Sequence, residues 1–328
     1  MSAPESPRIP VRVRHFDVPV DLVTLAGDGD GDGGEKERGH EVVSARPAAT
    51  VMVVRDAAGA RGAASTGHAS QAEAGTETGA SGEVEVFMLR RRSSMAFAPN
   101  RMVFPGGGVD ARDADDHLPW AGPSPRQWAA WLGTSDEAEA RELVVAAARE
   151  VFEECGVLLA GPDAETLVGD VSSEQWHAER DRLLSREQSF AELLIRREFV
   201  LRTDLLRPWA HWVTPEFERR RYDTRFFAAR LPEGQTPDDR TTEAAAADWV
   251  RPRTLLAEFE AGRAQLLPPT VVCLEQVAAA RDAREFLGSA PPMLRVMPVL
   301  ESDDAGRSRL RVELPAHRGG PSPSGDHP

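Results

Sequence analysis

The stretch Arg149-Glu-Val-Phe-Glu-Glu-Cys-Gly156 constrains this chain more than any other. It closes a run, Asp136 to Cys155, that reads as a helix: Ser135 or Asp136 can cap its start, and Gly156 follows its last turn. On a helix, Glu150, Glu153 and Glu154 fall at i, i+3 and i+4, which is one face. Like charges at that spacing repel, so the stripe costs stability unless a cation sits among the carboxylates. Hard cations such as Mg²⁺ take oxygen ligands of this kind. Val151 and Phe152 point away from the stripe, toward a core. The small Ala146-Ala-Ala148 run lets the helix lie close to a sheet. An acidic face standing alone is usually only solvated surface, so a second feature has to decide.

That feature lies upstream. Phe104-Pro-Gly-Gly-Gly108 is a rigid entry followed by residues that tolerate positive φ and close backbone approach. Such a loop brings main-chain groups near a phosphate or a metal. Around it, Ala49–Arg55, Val84–Leu89, Trp209–Val213, Arg225–Ala229 and Ala247–Val250 read as strands, with a short strand entering the glycine turn within Arg101–Asp110. A further strand is expected at Val157–Leu159. Ser172–Phe199 reads as one or two helices, and Arg253–Ala261 and Thr270–Phe286 read as helical. Arg295–Leu300 and Arg309–Leu314 flank an Asp-Asp-Ala-Gly turn and suggest a hairpin. Strands and helices in this mixed order predict an α/β or α+β sandwich.

Composition narrows the function. The net charge of −14 argues against a general nucleic-acid binder, whose affinity comes from neutralising phosphates. It does not argue against a phosphate-bearing substrate, because bound metal inverts the local charge. The two cysteines, Cys155 and Cys273, lie far apart and match no zinc spacing, so a reducing cytoplasm is the default. No run approaches the roughly 20 apolar residues of a membrane span, and the N-terminus lacks the apolar core of a secretory signal. Residues 27–39, 57–82 and the tail from about Ala316 are too polar to offset the entropy of ordering. Asp28-x-Asp-x-Asp-Gly33 imitates a calcium loop, but Gly39 stands where a bidentate glutamate is needed.

Taken together, the two halves resemble the Nudix signature, in which a glycine loop leads into a helix reading Arg-Glu-hydrophobic-x-Glu-Glu-x-Gly-hydrophobic. Arg149, Glu150, Val151, Glu153, Glu154, Gly156 and Val157 match it one by one, as does Phe104-Pro105-Gly106-Gly107. Two departures stand out. The signature's glycine and arginine lie 14 positions apart, whereas Gly107 and Arg149 are 42 apart (149 − 107). The signature's earlier glutamate falls eight residues before the arginine, which here is Arg141. Glu139 and Glu142 flank it, and Glu142 fills the role only with a local shift. An insert inside the box is similar to the Nudix subgroup related to the peroxisomal coenzyme A diphosphatase. Leu89-Arg-Arg-Arg-Ser-Ser94, Trp212-Val-Thr-Pro215 and Arg221-Tyr-Asp-Thr-Arg-Phe-Phe227 resemble the same group.

The resemblance implies a Nudix-type α/β/α sandwich with a mixed sheet and helical insertions, at 46–290. An N-terminal segment, 1–45, precedes it, and a hairpin and tail, 291–328, follow. The insertions are expected at 57–82, 111–135 inside the box and 165–205. The resemblance implies hydrolysis of a diphosphate in a nucleoside-diphosphate-type small molecule, coenzyme A or acyl-coenzyme A among the candidates. Mg²⁺, with Mn²⁺ as an alternative, would be held by Glu150, Glu153 and Glu154. Arg149 would hold a box carboxylate in place. Glu243, or a box glutamate, would take the proton from water. Arg90, Arg92, Phe104, Gly106 and Gly107 are the candidate substrate contacts. Two rival readings remain, a nucleotide sensor without turnover and a hydrolase of RNA ends. No membrane partner is expected, and a homodimer is left open.

Overall fold

The computed structural model describes residues 10–18, 42–57, 83–92, 100–240, 244–302 and 307–316. The expected flexible stretches 27–39 and 57–82, apart from Ala57, and the tail beyond Ala316 lie outside these residues.

A mixed sheet of eight strands carries the fold. Its main path runs β11 (Ala244–Val250), β3 (Val84–Arg91), β2 (Arg46–Asp56), β10 (Tyr222–Arg230), β9 (Leu206–Val213), β12 (Arg295–Val296). β4 (Met102–Val103) adds to β3, and β5 (Gly106–Gly108) adds to β2. β2 and β10 pair in parallel at the centre, with Val51 opposite Phe227. Central strands are buried on both faces, and their side chains alternate between two cores. Val51 and Val53 of β2, Phe87 and Leu89 of β3, and Phe227 and Ala229 of β10 face one core. Met52 and Val54, Val86 and Met88, and Phe226 and Ala228 face the other.

Helices cover both faces. Over the first lie α1 (Pro125–Leu132) and α2 (Glu137–Cys155), which contribute Trp128, Leu132, Leu143, Val144, Ala147 and Val151. Over the second lie α5 (Pro252–Glu260), α6 (Pro268–Ala279) and α7 (Ala283–Gly288), with Leu255, Val271, Leu274, Val277 and Phe286 inward. The α/β/α sandwich is therefore present. Asp136 caps α2 through Ala138 N–H at 2.8 Å, and Gly156 ends it with φ of +70°.

α2 is buried on two sides. Its outer face packs against an insertion made of α3 (Glu174–Leu184) and α4 (Phe190–Arg196). Phe152 stands edge-on to Trp176 with ring centroids 5.9 Å apart, in a third core with Val145, Ala148, Phe190, Leu193 and Leu194. Phe152 and Val151 thus enter different cores.

Three details differ from the sequence reading. Residues 157–159 are buried but form no strand, because the Gln235 side chain takes the place of one. Its Oε1 accepts the Leu158 N–H at 2.8 Å, and its Nε2 donates to the Leu158 carbonyl at 2.9 Å. β7 (Ala160–Gly161) follows instead and joins β6 (Trp120–Ala121) and β8 (Val200–Arg202) in a small sheet. The expected helix over Thr270–Phe286 breaks after Ala279. Asp282 caps α7 through Glu285 N–H at 2.7 Å, and Asp56 accepts the Ala283 N–H at 2.7 Å. Finally, the hairpin of β13 (Val299–Ser302) and β14 (Ser308–Pro315) is joined by β1 (Val11–Asp17), which pairs antiparallel along β14.

The insertion holds one buried carboxylate that sets a pH dependence. Glu179 is 1% exposed and accepts from Arg182, Arg196, Arg197 and Gln188 at 2.5, 2.6, 2.8 and 2.9 Å. Burial alone would raise its pKa. The hydrogen bonds from Arg196, Arg182, Gln188 and Arg197 overcome that and hold it well below the usual carboxylate range. A depressed carboxylate contributes stability above its unfolded pKa and loses it as pH falls below. Glu179→Gln is expected to cost about 2–3 kcal/mol at pH 7, the scale of charge-assisted hydrogen bonds. The gap to the parent should narrow steadily below about pH 4.5 in urea titrations. A gap constant from pH 7 to pH 3 would refute the assignment.

Candidate active site

β5 runs along β2, with Gly107 opposite Ala49 and Gly106 opposite Thr50, and so passes beside α2. None of Gly106, Gly107 and Gly108 has positive φ. Gly106 and Gly107 are needed for close approach. A Cβ on Gly107 would stand 2.5 Å from a Glu150 carboxylate oxygen, and one on Gly106 would stand 2.4 Å from the Ala49 carbonyl oxygen. Real Cβ atoms do not come so near. Gly106 N–H donates to Glu154 at 2.7 Å. The glycine stretch thus touches two of the three box glutamates, one by backbone and one by missing side chain.

Arg149 binds the rest. Its Nη1 donates to Glu150 at 2.8 Å and to Glu153 at 3.1 Å. Nη2 donates to the Gly108 carbonyl at 2.9 Å. Nε and Nη2 form a fork to Asp113 at 2.8 and 2.9 Å. Asp113 lies on a 3-10 turn, Ala111–Ala114, and its carboxylate also accepts the Asp110 N–H at 2.8 Å.

Asp113 answers the question of the missing glutamate. The signature's glycine-to-arginine spacing of 14, less its glutamate-to-arginine spacing of 8, places that acid six residues after the glycine. Gly107 plus six is Asp113. The extra residues lie between this acid and Arg149, so counting back from the arginine lands on Arg141. Arg141 instead donates to the carbonyls of Asp115 and Leu118 at 2.9 and 3.1 Å and tethers the insert. Glu139 and Glu142 line a cavity of about 310 Å³ with Ala45, Pro47, Val109, Leu143 and Asp223.

The electrostatics favour a cation. Asp113, Glu150 and Glu153 are 2%, 8% and 9% exposed and share the Arg149 guanidinium, while Glu154, 5% exposed, accepts the Gly106 N–H. Burial pushes Glu150 well above the usual carboxylate range; Arg149 opposes this and the charge of Glu153 adds to it. Burial raises Glu153 as well, again against Arg149. Buried carboxylates in excess of their counter-charge are costly unless another cation joins them. Oxygen donors of this kind fit a hard divalent ion. Among the described residues, the ligand-type atoms that meet within 4.8 Å of one another belong to Asp115, Asp116 and His117, on the insert. There the imidazole sits 3.2 and 3.0 Å from the two carboxylates, at a turn where His117 and Asp116 are exposed. The box glutamates do not converge in that way, since Arg149 and Gly106 N–H hold them.

The remaining sequence candidates are dispersed. Phe104 is packed in the core beyond the sheet, so what this segment brings to α2 is backbone. Arg90 and Arg92 sit at the end of β3, where Arg92 Nε donates to the Ala244 carbonyl at 3.0 Å. Glu243 lies outside the described residues.

The family model described as the NUDT19 Nudix domain matches residues 134–277. A crystal structure of a NUDIX hydrolase from Alicyclobacillus acidocaldarius superposes with a TM-score of 0.60 at 25% identity, over 76% of this chain and 98% of that one. This chain carries a Nudix domain. Among curated relatives of this Nudix chain, putative nudix hydrolase 7 of Caenorhabditis elegans is 29% identical over 197 residues, 60% of this chain and 57% of that one. The acyl-coenzyme A diphosphatase NUDT19 of Xenopus laevis is 24% identical over 261 residues, 68% of this chain and 69% of that one. The Nudix chain thus spans little more than half of the worm relative's length. The matched family stretch opens just before α2, leaving the glycine strand and Asp113 upstream of it. Among the described residues, no helix is long and apolar enough to cross a membrane.

Proposed function

We propose that this Nudix protein is a divalent-metal-dependent diphosphohydrolase acting on a nucleoside-diphosphate-type small molecule, with coenzyme A and acyl-coenzyme A the leading substrates. The observation that carries this reading is the excess of buried carboxylate over guanidinium at the end of α2, against a glycine strand shaped to Glu150. A sensor has no use for three glutamates that repel each other. The substrate class follows the names of the vertebrate relatives, acyl-coenzyme A diphosphatases.

Glu150, Glu153 and Glu154 would hold the metal. When bound, Mg²⁺ or Mn²⁺ neutralises diphosphate charge and stabilises the charge that develops on its oxygens. Arg149, fixed by Asp113, keeps Glu150 and Glu153 turned to one side. A water oxygen forms a bond to one phosphorus, the bridging P–O bond breaks, and two phosphate-ended products leave. The water proton passes to a carboxylate, that of Glu243 or of a box glutamate. Backbone at Gly106 and Gly107 forms the substrate side of this proposal, and the guanidinia of Arg90 and Arg92, at the end of β3, are its further proposed phosphate contacts. The two free buried cysteines are consistent with a reducing compartment such as the cytoplasm.

The test is product release with Mg²⁺ across coenzyme A, acyl-coenzyme A, NADH, ADP-ribose, nucleoside triphosphates and capped RNA. Metal-dependent cleavage of coenzyme A or its acyl form, giving the 4′-phosphopantetheine fragment, is expected. Metal-independent binding of one compound with no turnover of any would leave the sensor reading in its place.

A further inference from the structure

We propose that Arg180, on the inserted helix α3, is a positioning residue for the box. It clamps the last turn of α2 and so sets where the carboxylates of Glu153 and Glu154 stand. The proposal rests on the metal-dependent reading above and extends it to a residue outside the signature.

The last turn of α2 has a physical problem. The final four carbonyls of any helix lack partners within it, and that end carries the negative pole of the helix dipole. Here the same turn also bears Glu153 and Glu154, and it contains no basic residue. Left alone, such a turn frays, and its carboxylates lose their placement.

Partners from elsewhere in the chain close it. Gly156 N–H bonds the carbonyls of Val151 and Phe152. The Cys155 carbonyl accepts the Asp238 N–H at 3.1 Å. The Glu153 carbonyl accepts Arg180 Nη2 at 3.2 Å. Arg180 is itself held firmly: Nη1 donates to both Asp238 carboxylate oxygens at 2.7 and 2.8 Å, and Nη2 also reaches the Arg240 carbonyl at 3.2 Å. It is 2% exposed, a costly place for a charge. Phe152 against Trp176 seats α3 one turn away.

Gly156 is shaped to this clamp. Besides its positive φ, a Cβ there would lie 2.9 Å from Arg180 Nη1. The guanidinium occupies the room that a side chain at 156 would need. Since Arg180 and Asp238 offset each other in charge, the clamp acts through geometry. It supplies from the insertion the hydrogen-bond donor that the last turn of the box helix lacks.

The experiment compares the full chain with Arg180→Met and Arg180→Lys. Mn²⁺ binding without substrate is read by electron paramagnetic resonance. kcat and KM are read on whichever diphosphate the parent cleaves, and thermal melts confirm folding. Arg180→Met is expected to weaken Mn²⁺ binding about tenfold and lower kcat by about 10–100-fold, the scale seen when groups behind metal ligands are removed. KM should stay within about twofold, and lysine should recover part of both losses, since it keeps N–H donors without the fork. A purely structural role would lower the melting temperature and leave Mn²⁺ affinity and kcat unchanged in the folded protein; that result overturns the proposal. Should the methionine variant not fold, the lysine variant decides: weakened Mn²⁺ binding supports the clamp, and parental binding refutes it. A parent that neither binds Mn²⁺ nor cleaves any diphosphate would instead overturn the underlying reading, and the clamp with it.

Discussion

Glu153→Gln and Glu154→Gln are each expected to cut turnover by more than about 100-fold at saturating Mg²⁺ while leaving the fold intact. Removal of a group behind a metal ligand already costs about 10–100-fold, so loss of the ligand itself should cost more. The substitution is nearly isosteric and retains a carbonyl oxygen. At Glu154 that oxygen can still accept the Gly106 N–H now made at 2.7 Å. Stability should hold or rise slightly, because each change removes one charge from a set of neighbouring buried carboxylates. Product release and thermal melts on the same preparations test both halves. Retained turnover in both variants would sink the metal-site assignment.

Arg149→Leu is expected to be the most damaging single change to stability, by about 3–5 kcal/mol, the cost of stripping one partner from a buried ion pair. It would leave Asp113 without its fork and Glu150 and Glu153 without their Nη1 donor. Leucine fills the volume without the charge. The double variant Arg149→Leu/Asp113→Leu should be clearly less unstable than the sum of the single changes, because it removes an acid along with its partner. Arg149→Lys should fall between parent and leucine, since an ammonium cannot form the bidentate bond. Urea denaturation of the parent and of the four variants, Asp113→Leu included, measures these differences. A loss under about 1 kcal/mol for the leucine variant would contradict the central role given to this guanidinium.

Much of the site was legible because local rules govern it. The i, i+3, i+4 spacing of Glu150, Glu153 and Glu154 depends only on helix period, and the stop at Gly156 only on its backbone freedom. The central strands declared themselves by composition. Gly106 and Gly107 are legible as special positions, but for a broader reason than the one that applies. Their φ is ordinary, and what they provide is contact distance to Glu150 and Thr50. Asp113 was reachable from the sequence by counting forward from Gly107. Counting back from Arg149 failed because the insert lies between the two.

Other features depended on where distant segments meet. β1 pairs with β14 from the far end of the chain, and neither strand carries a signal for its partner. Residues 157–159 have strand composition, yet the Gln235 amide takes up the hydrogen bonds that would have called for a neighbouring strand. The sequence by itself determined an acidic helix face, its stop, and the period-two strands that bury the helix, since each follows from backbone geometry within a few residues. Only the tertiary structure decided that Asp113 partners Arg149, that α2 is buried by the insertion as well as by the sheet, and that Arg180 closes its last turn. The contacts Arg180–Glu153, Asp113–Arg149 and Arg180–Asp238 join residues 27, 36 and 58 positions apart, and the balance of burial and charge that selects them exists only once the chain has packed.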